Sequence, residues 1–167
     1  KLVALGRVLQ TLREEENADV LIDTILGYLK TEFDYSLIWI GLYDRLEHRL
    51  FGKGGVTPEG EIALLKQRFI LNPGDILEQV VIQQRPLAVP DLREELRAGE
   101  WRRAAQTFNI QGTVIFPIRY KDRCYGVALL GTTHWGAAPR ADEKARLSMI
   151  LGGLGAALYQ IEVEWQR

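Results

Sequence analysis

Short apolar runs and helical hydrophobic patterns alternate along the chain. The clearest pair of runs flanks the polar turn 120–123 inside the segment 115–131, and two apolar runs around such a turn predict a β-hairpin. Pro117 indicates a strand position that needs no hydrogen-bond donor, and Gly126 indicates one where a neighbouring backbone comes close. A helical pattern then begins near Pro139 and continues to the end of the sequence.

The first half of the chain gives a second set of elements. Apolar residues at helical spacing predict a helix over 18–33. The segment 35–43 is apolar on both faces, which predicts a central strand covered on both sides, and 48–56 is its expected hairpin partner. After the turn 72–75, Asp75 is a candidate N-cap for a short helix.

The remaining segments complete the predicted sheet. The segment 85–91 is bounded by prolines and predicts a short edge strand. Asp91 and Glu94 fit a capping box that opens a helix towards Arg103. With the hairpin strands over 113–132, we predict an α+β fold in which helices precede, interrupt and follow an antiparallel sheet of about five strands.

Length and composition are those of one globular domain. The chain has 167 residues, of which 47% are hydrophobic and 26% are charged, and this length is enough for a sizeable core. A net charge of −1 argues against a nucleic-acid partner, which would need clustered Lys and Arg. No apolar run approaches the roughly 20 residues of a membrane span. We therefore expect neither a nucleic-acid partner nor a membrane span.

Both ends of the sequence look like cuts through helices. It begins at Lys1 without an initiator Met or a signal peptide, and a helical pattern continues to Arg167 without a stop signal. We expect a single domain excised from a longer protein. Its parts are a first helix over 1–16, the sheet and pocket elements over 17–138, and a last helix over 139–167.

Cys124 is the only cysteine in the chain. A single thiol excludes an internal disulfide, a cysteine-based zinc cluster and a two-cysteine redox centre. This cysteine usage fits a reducing compartment, so we expect a cytoplasmic location.

Heptad-like spacing near both ends predicts association through the terminal helices. Apolar residues recur there every 3 or 4 positions, a spacing that places side chains between those of a partner helix. Ordinary amphipathic helices packed on a sheet explain each segment equally well. Because both ends carry such a seam, we expect a homodimer. The candidate interface residues are Leu2, Leu5, Leu9, Leu12, Ile150, Leu154 and Ile161.

Glycines inside the last predicted helix are a second unusual feature. Gly152, Gly153 and Gly155 each cost on the order of 1 kcal/mol relative to Ala in a helix interior. Close packing on the sheet or on a second subunit would compensate, and the sequence leaves both alternatives open.

The order of these elements, together with four local stretches, resembles the GAF domain family. The stretches read GDILEQVV over 74–81, RPLAVPD over 85–91, VIFPI over 114–118 and YGVALL over 125–130. Their order and spacing carry the resemblance, which covers essentially the whole chain.

This resemblance implies both a fold and a role. The implied fold is a central antiparallel sheet of about five to six strands, with the terminal helices on one face. A small-molecule pocket under short helices and loops lies on the other face. Family members serve mostly as regulatory modules in sensor kinases, response regulators, cyclases and phosphodiesterases. The implied role is therefore a non-enzymatic sensory domain of a multidomain signal-transduction protein, such as a two-component system, that signals through its terminal helices.

Bilin-binding photoreceptor members of the family attach their chromophore at a Cys-His pair before a strand. Counting back from 109–113, Glu100 and Trp101 fall at that pair. A carboxylate cannot form the thioether, and an indole cannot replace the proton chemistry of the imidazole. We therefore expect no covalent bilin and no other cofactor.

Signatures of other activities are missing from the sequence. The residues that mark cyclic-nucleotide binding in the family cannot be traced, and family members that reduce methionine sulfoxide need at least two cysteines. There is no P-loop and no Gly-x-Ser-x-Gly elbow. We therefore expect no enzymatic activity, no catalytic residues and no metal site.

Candidate pocket residues combine an apolar wall with a few polar groups. The aromatic and apolar candidates are Trp39, Phe51, Trp101, Phe108 and Ile115, and the polar ones are Arg102, Thr113 and His134. The resemblance places His134 near the pocket mouth, where it either donates to a ligand or caps a strand end.

Two states of the pocket remain open. It holds an unknown small-molecule ligand, or its aromatic side chains fill it. The second state would suit a dimerisation and spacer module with a degenerate pocket. A domain that binds a bilin non-covalently is the other alternative.

Overall fold

The structure is a computed structural model that describes residues 2–136 and 139–166. Residues 1, 137, 138 and 167 lie outside the described part, and so do the outer limits of the predicted segments 1–16 and 139–167. The α-helices in the described part are α1 (Leu2–Glu14), α2 (Ala18–Glu32), α3 (Ile76–Gln83), α4 (Glu100–Phe108) and α5 (Ala141–Gln166). Short 3-10 helices span Leu64–Lys66, Leu92–Glu94 and Leu96–Ala98.

The strands in the described part form one antiparallel sheet. They are β1 (Leu37–Asp44), β2 (Arg49–Val56), β3 (Arg68–Ile70), β4 (Leu87–Val89), β5 (Thr113–Tyr120) and β6 (Arg123–Gly131). Their order across the sheet is β3-β2-β1-β6-β5-β4, and every neighbouring pair is antiparallel. The predicted α+β fold with a central antiparallel sheet is confirmed.

The sheet separates two hydrophobic cores. One core lies under α1, α2 and α5, and the other contains residues of α3, α4 and the 3-10 helices. Along β1, Ile38 and Ile40 belong to the first core, while Leu37 and Trp39 belong to the second. The prediction of a central strand that is apolar on both faces is therefore confirmed.

The two marker residues of the β5–β6 hairpin lie where the sequence indicates. A Cβ built on Gly126 would collide with the backbone carbonyl oxygen of Gly41 on β1, so only glycine permits this strand spacing. Pro117 pairs with Val127 on β6. On the other side of β5, the pairing with β4 extends only as far as Ile115. The missing N–H of Pro117 is therefore not needed there.

One predicted helix is interrupted. Asp91 does act as a cap, because its side chain accepts from the backbone N–H of Arg93, but the chain then forms two 3-10 helices. Gly99 follows with φ +58, a conformation that stops a helix and that side chains rarely adopt. The α-helix begins only at Glu100, so the predicted continuous helix from Asp91 to Arg103 is corrected.

The terminal helices pack on the sheet of their own chain. Ile150 and Leu154 are both 0% exposed, and Leu12 is buried in the same core. The structure therefore corrects the expectation that Leu12, Ile150 and Leu154 form a dimer interface, because their side chains are buried in the core of their own chain. The 3-4 spacing that predicted a seam is explained in α5 by packing on β5 and β6.

The other dimer candidates keep some accessible surface. Leu5, Leu9 and Ile161 are partly buried against the same core, and Leu2 is 84% exposed. A homodimer through these residues remains a prediction. In the described part of the chain, no helix combines the length and the apolar character needed to cross a bilayer.

Candidate functional site

Three aromatic side chains fill the centre of the core that contains residues of α3 and α4. The ring centroids of Trp39 and Trp101 lie 4.7 Å apart, and Phe69 lies 5.2 Å from each of them. Trp39 donates its Nε1–H to the carbonyl oxygen of Leu65 at 3.0 Å. Such contacts fix the rings relative to one another, so the interior at this point is occupied by side chains.

A cleft of about 300 Å³ lies beside this aromatic cluster. We call it the β3–α4 cleft because β3 and the start of α4 form its walls. Residues from three neighbouring segments line it: Arg68, Phe69, Ile70, Leu71, Asn72, Asp75, Leu77, Arg97, Ala98, Gly99, Glu100 and Trp101.

The wall of the β3–α4 cleft contains an unsatisfied donor. Trp101 is 1% exposed, and its Nε1–H has no hydrogen-bond partner among the described residues. Buried polar groups in folded proteins are nearly always paired, so each exception calls for an explanation. Gly99 at the start of α4 provides no side-chain cap, and the first N–H groups of a helix have no partner within it. Trp101, one of the residues that line the cleft, therefore carries an unpaired donor.

Charged side chains at the rim of the cleft carry both signs. Arg68 and Arg97 are the cations, and Asp75 and Glu100 are the anions. Arg97 contacts Glu95 at 3.2 Å, and this hydrogen bond holds the pKa of the Glu95 carboxyl below its ordinary value. The charged side chains that line the cleft thus offer donors and acceptors together, and one of the cations, Arg97, is already paired with Glu95.

Solved structures with similar folds cover nearly the whole chain. The GAF domain of a phosphoenolpyruvate-protein phosphotransferase from Coxiella burnetii superposes with a TM-score of 0.77 at 12% identity, over 99% of this chain and 96% of that chain. The chain has the GAF-domain fold. No protein-family model and no curated protein matches the sequence.

Two other neighbours of this GAF-fold domain differ in what they do. The phycocyanobilin-bound GAF domain of a cyanobacterial phytochrome has a TM-score of 0.73 and 13% identity, and the match covers 97% and 95% of the two chains. Free methionine-R-sulfoxide reductase from Neisseria meningitidis, in complex with its substrate, has a TM-score of 0.73 and 15% identity, with coverage of 96% and 89%. The prediction that this domain is not an enzyme is therefore wrong as it stands, because an enzyme has the same fold.

The apolar pocket candidates of the GAF-fold domain lie mainly in its core. Trp39, Trp101 and Ile115 are buried in the same core, and Phe108 packs against it. Phe51 lies outside that core, and the guanidinium groups of Arg49 and Arg68 lie 4.9 and 5.0 Å from its ring centroid. Only Trp101 among the predicted residues lines the β3–α4 cleft.

The polar pocket candidates are all engaged with the backbone. Arg102 donates from Nε to the carbonyl oxygen of Arg93 at 3.1 Å, and Thr113 donates to the carbonyl oxygen of Gln111 at 2.9 Å. The side chain of His134 is not buried, and its carbonyl oxygen accepts from the N–H of Gly112 at 2.8 Å. His134 thus contributes backbone hydrogen bonds beyond the end of β6, and none of the three lines the β3–α4 cleft.

Most of the cleft residues were not predicted. The cations Arg68 and Arg97 and the aromatic Phe69 belong to β3 or to a 3-10 helix. These elements have three residues each, too few to give a periodic pattern. The signal that was available is the turn at 72–75, which borders the cleft.

A hydrogen-bonded chain of three side chains supports the turn 72–75 beside the cleft. The phenol of Tyr43 contacts His48 Nδ1 at 2.7 Å, and His48 Nε2 contacts Glu78 Oε2 at 2.7 Å. The other carboxylate oxygen of Glu78 accepts from the N–H of Gly74 at 3.2 Å. The turn between β1 and β2 is thereby joined to α3 and to the loop beside the cleft.

Cys124 is held as a neutral thiol. It is buried, its Sγ donates to the carbonyl oxygen of Gly126 at 3.3 Å, and burial raises its pKa above the ordinary value. A nucleophilic cysteine needs the opposite shift. Within the described ranges, no three His, Cys, Asp or Glu side chains are grouped so as to hold a metal ion.

Proposed function

We propose that this GAF-fold domain is a regulatory module that binds a small polar ligand in the β3–α4 cleft and signals through its terminal helices. The observation that carries the proposal is the unpaired Nε1–H of Trp101 in the cleft wall. A buried donor without a partner costs about 1–3 kcal/mol. A ligand acceptor that reached this donor would remove the cost, which supports the proposal.

The cleft also restricts the kind of ligand. Its volume of about 300 Å³ is at the lower end of the range for small-molecule sites. The mixed charges of Arg68, Arg97, Asp75 and Glu100 favour a compact ligand that carries both donors and acceptors. Solved neighbours from a phosphotransferase and a phytochrome support a regulatory role by analogy of fold.

The proposed signal route runs through the sheet. The loop beside the cleft leads into α3, which packs against β5 and β6. On the other face of the same two strands lies α5. A ligand shifts the position of α5 only if it binds two arrangements of these elements with different affinity.

A thermal-shift screen with Trp101→Phe tests the proposal. Phe keeps an aromatic ring but removes the Nε1–H donor, and Trp135→Phe is the matched control because Trp135 is 70% exposed. We expect a ligand from a metabolite panel to raise the Tm of the wild type and of the control. Binding to Trp101→Phe should be about fivefold weaker, since a hydrogen bond contributes roughly 1 kcal/mol. Equal shifts in all three proteins would exclude the cleft as the site.

The aromatic cluster favours a second candidate, a dimerisation and spacer module with a degenerate pocket. Trp39, Phe69 and Trp101 occupy space that a ligand would need. This candidate predicts no hit in the screen and a dimer in sedimentation. Leu2→Asp, at a position that is 84% exposed, should then shift the dimer towards monomer without unfolding the domain. Visible absorbance after co-expression with a bilin pathway decides whether the ligand is a non-covalent bilin.

A further inference from the structure

The β3–α4 cleft runs along one edge of the sheet. In the described part of the chain, β3 is the outermost strand on its side of the sheet and pairs with β2 alone. Consecutive side chains of a strand point to opposite faces, yet Arg68, Phe69 and Ile70 all line the cleft. A cleft that contacts three consecutive residues of a strand lies against an edge of that strand. Since β2 covers one edge, the cleft lies along the unpaired edge of β3.

The register of β3 shows which backbone groups face this cleft. The carbonyl oxygen of Gln67 and the N–H of Leu71 both bond to β2 or to the turn before it, at 2.8 and 3.2 Å. In an antiparallel pair, alternate residues of a strand direct their N–H and C=O to the partner strand. Residues with odd numbers in β3 therefore face β2. Arg68 and Ile70 direct their N–H and C=O groups away from it, to the unpaired edge.

The free backbone groups of Arg68 and Ile70 form a template for one more strand. The turn and loop hydrogen bonds among the described residues do not use them, and Ile70 is 71% exposed. An extended peptide can add to such an edge, where main-chain hydrogen bonds supply affinity. The two residues are separated by twice the rise of a strand, about 6.6 Å, which is also the repeat of an extended peptide backbone.

The opposite wall of the cleft suits the second edge of such a peptide. Peptide residues that pair with Arg68 and Ile70 direct their backbone groups to β3, and the residue between them directs its N–H and C=O the other way. The start of α4 forms that side of the cleft, and Trp101 there carries the unpaired Nε1–H. An extended peptide therefore brings acceptors to both walls.

Size and charge restrict the peptide further. β3 has only three residues, and the cleft has a volume of about 300 Å³, so only a short peptide fits. Asp75 and Glu100 supply carboxylates to the cleft, and Arg68 supplies an exposed guanidinium group. A short peptide with free termini carries one ammonium group and one carboxylate, and each finds the opposite charge in this cleft.

We propose that the ligand of the β3–α4 cleft is a short extended peptide with free termini, about three residues long, which adds to β3 as a further strand. This inference rests on the proposed function, because it names the ligand class of the same cleft. The peptide backbone bonds to the backbone of Arg68 and Ile70, and its central residue faces the wall that contains Trp101. Recognition is therefore mainly of the main chain.

The test is a titration with trialanine, followed by NMR, on the wild type, Ile70→Pro and Ile70→Thr. Proline removes the N–H that faces the cleft, and an edge strand tolerates proline where the sheet does not use that N–H. Threonine keeps the N–H and a β-branched side chain, so it is the matched control at the same position. Free alanine and trialanine with acetyl and amide caps are the matched probes.

The expected result depends on the backbone of one residue. Trialanine should bind equally to the wild type and Ile70→Thr, and at least about fivefold more weakly to Ile70→Pro. Capped trialanine should also bind the wild type more weakly, because it lacks both charges, and alanine should not bind because it cannot reach both strand residues. In the wild type, bound trialanine should slow hydrogen exchange of the amides of Arg68 and Ile70. The amide of Phe69, which faces β2, should change little.

Several results would overturn the peptide inference. These are equal binding to Ile70→Pro and Ile70→Thr, unchanged amide exchange of Arg68 and Ile70 at saturation, or no binding of trialanine. Equal binding of capped trialanine would exclude a ligand recognised by its free termini and would indicate a segment inside a longer chain. If Ile70→Pro does not fold, amide exchange in the wild type decides.

Failure of this inference can be told apart from failure of the proposed function. A metabolite that binds in a manner dependent on Trp101, together with no binding of trialanine, would overturn the peptide ligand alone. No binding of either would overturn both. Trialanine binding that is lost in Ile70→Pro but unchanged in Trp101→Phe would support the added strand and would remove the observation that carries the proposed function.

Discussion

The packing of α5 on the sheet can be measured with two glycines of the same helix. Gly155 is buried, and a Cβ built on it would collide with the backbone carbonyl of Arg119 on β5. Gly152 lies three residues earlier and is exposed, and a Cβ there meets nothing within 4 Å among the described atoms. Gly152→Ala and Gly155→Ala therefore add the same methyl group in two opposite environments.

The magnitudes follow from these environments. Replacing Gly by Ala inside a helix favours folding by about 0.5–1 kcal/mol, and Gly152→Ala should gain this amount. Gly155→Ala has the same gain but must move α5 away from a backbone atom, and overpacking of this kind costs about 1–3 kcal/mol. The gain in helix propensity is the same in both variants. The difference between their free energies of unfolding therefore gives the packing cost alone, about 1–3 kcal/mol.

Urea denaturation followed by circular dichroism measures both free energies of unfolding. We expect Gly152→Ala to have a higher midpoint than the wild type and Gly155→Ala to have a lower one. A domain of this size changes its Tm by about 2–4 °C per kcal/mol, so thermal scans give an independent check. Equal stabilisation by both substitutions would refute the close approach of α5 to β5.

Two further predictions concern titration and the loop beside the cleft. Burial, assisted by the negative charge of Glu143, raises the pKa of Tyr35 from 10.0 to about 12. The neutral phenol is favoured in the folded state, so its stabilising effect is complete below pH 10 and is lost as the pH rises towards 12. The difference between the ultraviolet titration curves of the wild type and Tyr35→Phe measures the pKa of Tyr35. In His48→Asn, the asparagine tolerates the positive φ of 50° but is too short to contact both Tyr43 and Glu78. We therefore expect hydrogen exchange of the backbone amides in 72–75 to become faster. Unchanged exchange would show that the contact with Glu78 does not hold the loop.

Long elements of the fold could be predicted from the sequence because their patterns extend over many residues. The β5–β6 hairpin has strands of eight and nine residues, and Pro117 and Gly126 mark positions with specific backbone requirements. By contrast, β3 has three residues, and no periodicity can be recognised in so short a segment.

Dimer seams and sheet-packing helices have the same hydrophobic spacing. Ile150 and Leu154 recur at intervals that suit either a partner helix or the strands beneath, so the sequence cannot separate the two. The choice depends on where the sheet lies, which is a property of the whole fold.

The candidate site was predicted only in part, for a geometric reason. Trp39 and Trp101 were predicted to line a pocket, and the structure buries both in one core. An aromatic side chain that lines a pocket and one that fills it look alike in a sequence. Arg68 and Arg97 are 29 positions apart in the numbering and reach the same cleft only because β3 packs near the 3-10 helix that precedes α4. No local pattern contains that information.

The alternation along β1 limits how a signal can cross the domain. Each step of one residue changes the core that a side chain enters, so a slip of one position would put Trp39 among the helices and Ile38 and Ile40 into the aromatic cluster. The eight-residue strand therefore cannot slide along its neighbours. It can only tilt or translate as a whole, so a movement of α3 and α4 would reach the terminal helices as a displacement of the sheet and not as a change of strand pairing.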